Sequence, residues 1–172
     1  MRVRATILLT LVFLFSGCEA GQMTAREVHY FTAVQPRPSR ESALVQGPSA
    51  KIYFSSSGAT GYADVFLRTF VREGPDLHQL YVAFRDQNWV FFNQAYDKDG
   101  NKLEFTEIDR KEVTAGITEH FAAKLSDEYL ESATDTGLEV KFLGKQGERT
   151  VRLRSRYVRG YLQKYKELTT SQ

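Results

Sequence analysis

The sequence predicts a β-rich α+β fold, built mainly of antiparallel sheet or as a small β-sandwich, with two short helices. Short segments rich in β-branched and aromatic residues recur along the chain, and turn-forming residues separate them. A helical spacing of apolar residues replaces this pattern in two places, both in the last third of the chain. A chain of 172 residues, of which 42% are hydrophobic, can bury one core, so we expect a single globular domain at residues 49–168.

The N-terminal residues have the layout of a signal peptide, which is a basic start, an apolar run and then small residues. Two arginines precede a largely apolar run at residues 5–15, and Ser16 and Gly17 follow it. This run of 11 residues is too short to cross a membrane, because a spanning helix needs about 20 apolar residues. We therefore expect residues 1–17 to be a cleaved signal peptide.

The sole cysteine, Cys18, follows these small residues directly. The segment Phe15-Ser16-Gly17-Cys18 resembles the lipobox of bacterial lipoproteins, roughly Leu-(Ala/Ser)-(Gly/Ala)-Cys, with phenylalanine in place of the usual leucine. The resemblance implies a diacylglycerol on Cys18, cleavage before it and an acylated new N-terminus. It also implies sorting to the outer membrane, facing the periplasm, because Glu19 replaces the aspartate of inner-membrane lipoproteins. The alternative is an ordinary secretory signal that happens to contain a cysteine.

Cysteine use and charge limit the possible functions. One cysteine can form neither an internal disulfide nor a cysteine zinc site. The chain carries 23 basic and 21 acidic side chains, and cleavage after residue 17 removes two of the arginines, which leaves no net charge. A neutral mature chain provides no basic field for nucleic acid, so we expect no nucleic-acid partner.

Residues 18–48 are expected to be the lipidated N-terminus and a mostly flexible tether. Pro36, Pro38 and Pro48 punctuate a polar segment that has too little apolar content to order itself. Glu27–Val34 is the exception, because its apolar content could make it a short strand added to the domain.

Six strand segments are expected after the tether, each bounded by turn-forming residues such as those at 74–76 and 97–101. In order, they are Ala50–Phe54, Tyr62–Val71, Gln79–Arg85, Trp89–Tyr96, Lys102–Ile108 and Ile117–Leu125. A helix is the alternative for the second segment, since its apolar residues would also share one helical face. The third, fourth and fifth segments follow one another closely, so we expect them to form a β-meander.

A short helix is expected next, because the apolar period changes at Ser126. This serine is a good N-cap, acidic residues follow it in the first turn, and Gly137 provides a stop. We expect Tyr129, Leu130 and Ala133 to form the buried stripe of this helix.

A hairpin and a second helix complete the domain. Leu138–Leu143 and Arg149–Leu153 surround a glycine-containing turn, so their apolar residues should meet inside the hairpin. The helix is expected near Arg156–Glu167, where tyrosines recur at every fourth position.

The turn at residues 97–101 is a possible metal site. Asp97, Asp99 and Asn101 are spaced like the first three ligands of a calcium loop, but Lys102 and Ile108 stand where such a loop needs glycine and glutamate. A hairpin turn explains the same residues. We expect a turn and no metal ion.

No pattern of catalytic residues is found in the sequence. His29, His78 and His120 are far apart and lack the spacing of metal ligands, so we expect surface or half-buried polar roles for them. The chain has no Gly-x-Ser-x-Gly elbow, phosphate-binding loop or dinucleotide fingerprint. We therefore expect no cofactor and no catalytic residue, and we favour a protein that is not an enzyme.

Charge is distributed unevenly within the domain. Residues 97–139 carry 12 acids and 5 bases, whereas residues 145–166 carry 8 bases and 1 acid. Arg152, Arg154 and Arg156 lie two apart, which would line one face of a strand and form a patch for an anionic partner. Alternatively, the two segments pair with each other, with Glu139 facing Arg152 or Arg154 across the hairpin.

Together these observations predict a lipid-anchored protein of the bacterial envelope, with a non-catalytic role in binding or assembly. Its partners would be the membrane, through the lipid on Cys18, and an envelope protein or an anionic glycolipid. Two alternatives are a hydrolase acting on peptidoglycan or lipid, and an accessory lipoprotein of a secretion or toxin-immunity system.

Overall fold

A computed structural model of the chain describes residues 22–36, 43–56 and 59–170. These residues form two antiparallel sheets and three helices, which confirms the predicted β-rich α+β class. The helices are α1 (Ala25–Phe31), α2 (Asp127–Thr136) and α3 (Ser155–Thr170). The strands are β1 (Ala33–Pro36), β2 (Ala43–Gln46), β3 (Ala50–Ser56), β4 (Ala59–Val71), β5 (Leu77–Asp86), β6 (Phe92–Asp97), β7 (Lys102–Leu103), β8 (Phe105–Val113), β9 (Gly116–Leu125), β10 (Leu138–Gly144) and β11 (Gly147–Leu153).

The large sheet has the strand order β1-β2-β4-β5-β9-β8, with β3 paired to β4 on the same side as β2. Strands β2 and β3 can pair with successive parts of β4 because β4 is 13 residues long. Alternate residues of β4 are buried, among them Ala63, Val65 and Leu67, and this period of two is that of a strand. The helix considered for Tyr62–Val71 is therefore wrong.

The small sheet has the strand order β11-β10-β6-β7. The expected β-meander is wrong, because β5 pairs with β4 and β9 in the large sheet while β6 pairs with β10 and β7 in the small sheet. The chain crosses from one sheet to the other at residues 87–91, where Phe91 has a φ of 58°. The expected strand Lys102–Ile108 is also divided between the sheets, as β7 and the start of β8.

The core lies between the two sheets and is dominated by phenylalanine rings. Phe92 and Phe142 of the small sheet face Phe84 and Phe121 of the large sheet, and all four are buried. The ring centroids of Phe92 and Phe121 are 4.7 Å apart. Such a pair adds about 0.5–1.5 kcal/mol beyond the burial of its area. We call this side of the large sheet its inner face, and the opposite side its outer face.

Helix α2 has the ends that the sequence predicts. The Oγ of Ser126 accepts a hydrogen bond from the N–H of Tyr129 at 3.2 Å, and Gly137 ends the helix with a φ of 87°. Leu130 and Ala133 are buried, as expected. The predicted hairpin follows directly, with β10 paired to β11.

Helix α3 covers the inner face of the large sheet beside β2 and β4. Tyr157 and Tyr161 are buried and Tyr165 is half-buried, which confirms the tyrosine stripe predicted for this helix. The hydroxyl of Tyr157 donates to the carbonyl oxygen of Pro48 at 2.6 Å. A side chain on Gly47 would collide with the same hydroxyl, so glycine is needed for this close packing.

Helix α1 replaces most of the strand expected at Glu27–Val34, and that prediction is wrong. The Oγ1 of Thr24 accepts from the N–H of Glu27 at 3.3 Å, and the carboxylate of Glu27 accepts from the N–H of Thr24 at 2.7 Å, which is a capping box. Val28 is fully buried, and Gly160 of α3 lets the two helices approach closely. Strand β2 pairs with β4, so the described residues of the expected tether pack on the domain.

Candidate functional site

The three arginines predicted as an anionic-partner patch do not share one strand face. Strand β11 ends at Leu153 and α3 begins at Ser155, so Arg152 belongs to the strand, Arg154 to the connection and Arg156 to the helix. The prediction of a shared strand face is therefore wrong.

The alternative pairing within the hairpin is confirmed for Arg152. Its Nε lies 2.7 Å from Oε2 of Glu139, the residue directly opposite it in the hairpin. The Arg152 side chain is 69% exposed, so this ion pair contributes little to stability. Cys18 and the rest of the segment at 15–18 lie outside the described residues.

The turn after β6 is held together by the carboxylate of Asp97, which accepts hydrogen bonds from other residues of the turn. Oδ1 of Asp97 accepts from the N–H groups of Asp99 and Asn101 at 2.9 and 2.8 Å, and Oδ2 accepts from the side-chain amide of Asn101 at 2.9 Å. Burial raises the pKa of Asp97, but these hydrogen bonds outweigh it and the pKa is lowered. Within the described residues, no group of three or more acidic, histidine or cysteine side chains could hold a metal ion.

A hydroxyl, an imidazole and a carboxylate form a chain of hydrogen bonds inside the domain. The Oγ1 of Thr69 lies 2.6 Å from Nδ1 of His78, and Nε2 of His78 lies 2.8 Å from Oδ1 of Asp127. The Oγ1 of Thr69 also lies 2.6 Å from the hydroxyl of Tyr161. This buried relay connects β4, β5, α2 and α3.

The buried relay has the same order of groups, hydroxyl, imidazole and carboxylate, as the catalytic residues of serine and threonine hydrolases. In this protein, however, the hydroxyl is buried and the carboxylate is exposed to solvent. Thr69 is fully buried and His78 is 3% exposed, whereas the side chain of Asp127 is 80% exposed. A substrate in solution therefore reaches the carboxylate and not the hydroxyl. Burial lowers the pKa of His78, and the nearby Asp127 and Asp76 oppose that shift only in part. This arrangement suits a structural hydrogen-bond network.

The outer face of the large sheet brings aromatic rings and cationic side chains together. The small sheet and α3 pack against the inner face, so the residues that alternate with the buried ones on β4 and β5 point to the other side. Six half-buried residues of this kind form what we call the outer-sheet patch, namely Tyr62, Phe66, Arg68, Tyr81, Arg85 and His120.

Stacked groups occupy the centre of the outer-sheet patch. The rings of Phe66 and Tyr81, which are directly opposite each other on β4 and β5, stack with centroids 4.6 Å apart and an angle of 22°. The guanidinium carbon of Arg68 lies 4.6 Å from the centroid of Tyr81 and 5.0 Å from that of Phe70. The Nε of Arg68 donates to the side chain of Gln79 at 2.9 Å, which fixes the guanidinium against the rings.

A second ring lies between two cations at the β3 side of the patch. The ring centroid of Tyr62 is 5.0 Å from Nζ of Lys51 and 5.4 Å from the guanidinium carbon of Arg85. Arg85 also forms an ion pair with Asp64. Tyr53, which is 62% exposed, extends this aromatic surface towards the edge of the sheet.

His120 closes the patch on the β9 side. Its Nδ1 lies 2.6 Å from the hydroxyl of Tyr81, while its Nε2 is enclosed and has no hydrogen-bond partner among the described residues. Burial lowers the pKa of His120, and the positive charge of Lys111 lowers it further. His120 therefore positions the Tyr81 hydroxyl and presents no accessible ring nitrogen to a ligand.

The alternation of residues along β4 is the signal in the sequence that corresponds to this patch. In residues 62–70 the odd-numbered residues are buried and the even-numbered ones carry rings and charges. Both sets contain apolar residues, so the period alone does not tell which set faces the core. The cross-strand contact of Phe66 with Tyr81 joins residues that are distant in sequence, and only the sheet register reveals it.

An open cavity of about 720 Å³ lies beside α2 and α3. Its lining includes Arg159, Lys166 and one carboxylate, Glu167, which pairs with His29 at 2.8 Å. The cavity thus lacks the two converging carboxylates that a glycoside hydrolase uses.

Comparison with protein-family models, with curated proteins and with solved structures found no match for this chain. Among the described residues, none of the helices has the length and apolar character needed to cross a bilayer.

Proposed function

We propose that this protein is a lipid-anchored component of the bacterial envelope whose domain binds an anionic glycolipid through the outer-sheet patch, without catalysis. Anchoring is supported by the segment at 15–18, which resembles a lipobox. Binding is supported by one structural observation, which is the guanidinium of Arg68 held against the rings of Tyr81 and Phe70 on the outer face.

The chemistry of the patch matches a phosphorylated sugar. The C–H groups of a sugar ring pack against an aromatic face, and the rings of Tyr53 and Tyr62 form such a surface. Guanidinium groups bind phosphate through charge-assisted hydrogen bonds with fixed geometry. A ligand that carries both groups would contact the rings and the arginines together.

The charge of the patch favours an anion over a cation. The outward positions of β3, β4 and β5 carry Lys51, Arg68 and Arg85 against Asp64, and at the β9 side of the patch Asp109 lies opposite His120 and pairs with Lys111. This excess belongs to the patch and not to the chain, because the mature side chains would be neutral overall. Local excess charge of this kind raises the association rate and makes binding sensitive to salt.

Titration of the purified full-length protein, in detergent micelles, with the phosphorylated oligosaccharide released from lipopolysaccharide tests this proposal. We expect Arg68→Gln to weaken binding by about tenfold or more, because a hydrogen bond to a charged group contributes about 1.5–3 kcal/mol. Arg159→Gln is the matched control, since that guanidinium is exposed on α3, which covers the opposite face of the large sheet. Equal binding by the two variants, or no binding by the wild type, would contradict the proposal.

A further inference from the structure

Three exposed apolar side chains lie within five consecutive residues near the start of the described chain. Tyr30 is 79% exposed, Phe31 56% and Val34 37%. The rings of Tyr30 and Phe31 contact each other edge to face, with centroids 5.1 Å apart. Adjacent exposed apolar side chains of this size mark a surface that contacts something other than water. We call these three residues the apolar tip.

The apolar tip is held in a fixed place on the domain. Helix α1, which ends at Phe31, docks on α3 through the fully buried Val28 and the close approach at Gly160. Nε2 of His29 lies 2.8 Å from the carboxylate of Glu167 on α3. The rings therefore project from a helix that is docked on the domain.

The chain between the predicted lipid and α1 is short. Six residue steps separate Cys18 from Thr24, the N-cap of α1. A fully extended chain of this length spans only about 20 Å. A lipid on Cys18 would thus hold α1 within about 20 Å of the bilayer surface, which is less than the thickness of the hydrocarbon core itself.

We propose that Tyr30, Phe31 and Val34 contact the headgroup region of the membrane that holds the Cys18 lipid, so that the domain rests on the bilayer through α1. This inference depends on the lipid anchor of the proposed function and adds a second point of attachment. Tyrosine rings favour the membrane interface because one end is apolar and the other end can hydrogen-bond to water. Two points of attachment also fix the orientation of the domain, which a single lipid chain does not.

Fluorescence quenching by brominated lipids tests this contact directly. The chain has one tryptophan, so Phe31→Trp is made in a Trp89→Phe background and reconstituted, full length, in vesicles of phosphatidylethanolamine and phosphatidylglycerol. Val113→Trp is the matched control, because Val113 is 41% exposed and lies at the end of β8, at the opposite edge of the large sheet from β1. We expect lipids brominated near the headgroup to quench the tryptophan at 31 and not the one at 113. Equal quenching of both would contradict the proposal. So would a tryptophan at 31 that is protected from both lipid bromine and aqueous acrylamide, because another protein chain would then cover it.

Flotation separates failure of this inference from failure of the anchor. If Cys18 carries no lipid, the wild-type protein will not float with the vesicles and mass spectrometry will find an unmodified N-terminal peptide, which contradicts the proposed anchor. If the protein floats and the tryptophan at 31 is not quenched, only the contact of the apolar tip is contradicted.

A second measurement does not depend on the lipid. In a chain that begins at Glu19, and so carries neither the signal peptide nor the lipid, we expect Tyr30→Ser with Phe31→Ser to lower partitioning into the same vesicles by about tenfold, the change produced by roughly 1.4 kcal/mol. Both rings are exposed, so thermal unfolding should be unchanged. Unchanged partitioning would contradict the contact.

Discussion

Nε2 of His78 lies 2.8 Å from Oδ1 of Asp127, so a buried imidazole on β5 is bound to an exposed carboxylate in the first turn of α2. With a neutral imidazole every hydrogen bond of the buried relay can form. Nε2–H donates to Asp127, Nδ1 accepts from the hydroxyl of Thr69, and Thr69 accepts from the hydroxyl of Tyr161. Protonation would turn Nδ1 into a donor, so the Thr69 hydroxyl could no longer donate to the imidazole and would need another acceptor inside the core.

Stability should therefore fall in mild acid. Burial lowers the pKa values of His78 and His120 below the ordinary 6.5, so the unfolded chain binds more protons than the folded one as the pH falls through that value. The free energy of unfolding should be highest above about pH 7 and should decline towards about pH 5. Urea unfolding at a series of pH values measures this slope, which His78→Gln should reduce. An unchanged slope in that variant would exclude His78 as its source.

Glu119→Gln should destabilise the crossing between the two sheets. The fully buried carboxylate of Glu119 accepts from the N–H groups of Val90, Phe91 and Phe92 at 2.7, 3.0 and 3.1 Å, and from Nε of Arg110 at 3.2 Å. An amide would turn its own N–H donors towards some of these donors and would remove the buried one of the two carboxylates that pair with Arg110, the other being Glu107 at 2.9 Å. We expect a loss of about 3–5 kcal/mol in the free energy of unfolding, as for other broken buried ion pairs.

The matched control for this change is Glu112→Gln, on the exposed part of β8. It should change the free energy of unfolding by less than about 0.5 kcal/mol. A similarly small effect of Glu119→Gln would mean that the connection between the two sheets does not depend on the negative charge of Glu119.

Gly160→Ala should weaken the contact between α1 and α3. Alanine favours a helix interior by about 1 kcal/mol over glycine, but a Cβ here would overlap the carbonyl oxygen of Ala25. We expect a net destabilisation of about 1–3 kcal/mol and faster proteolysis near α1. Gln163→Ala, on the exposed side of the same helix, should leave both measurements unchanged. A more stable Gly160→Ala protein would show that α1 moves away from α3 at no cost.

Arg152→Gln should have almost no effect on stability. Its ion pair with Glu139 is on the surface of the hairpin, where water and salt screen it, so the change in the free energy of unfolding should stay below about 1 kcal/mol. Thermal unfolding at low and high salt measures it. A larger loss of stability at low salt would indicate that ion pairs, rather than packing, hold the basic segment at residues 145–166 on the domain.

The features that the sequence predicts well are those set by neighbouring residues. Ser126 and Gly137 define the ends of α2 through local hydrogen bonds and backbone geometry, and both are visible in the sequence. The capping box of Thr24 and Glu27 is equally local, but the apolar content of the residues after it suggested a strand. Apolar content favours a strand there and the capping box favours a helix, and the docking of Val28 on α3 stabilises the helix.

The features that the sequence does not predict depend on distant pairing. Phe121 lies opposite Val82 in the large sheet, and Glu119 reaches back to the chain at Val90, so the division of the predicted meander follows from contacts across 28 residues or more. The outer-sheet patch is likewise formed by register, since Phe66 meets Tyr81 only once β4 and β5 are paired. The expectation that the three arginines share one strand face was wrong because the chain changes from strand to helix after Leu153, which its charge pattern does not reveal.

The docking of α1 on α3 has a consequence for the time course of folding. His29 and Glu167 are 138 residues apart, so the surface that receives the first helix does not exist until the final helix of 16 residues has been made. Closing so long a loop comes late in folding, because its entropy must be lost before any contact is gained. The segment next to Cys18 therefore remains undocked while the rest of the chain emerges, and it joins the domain last.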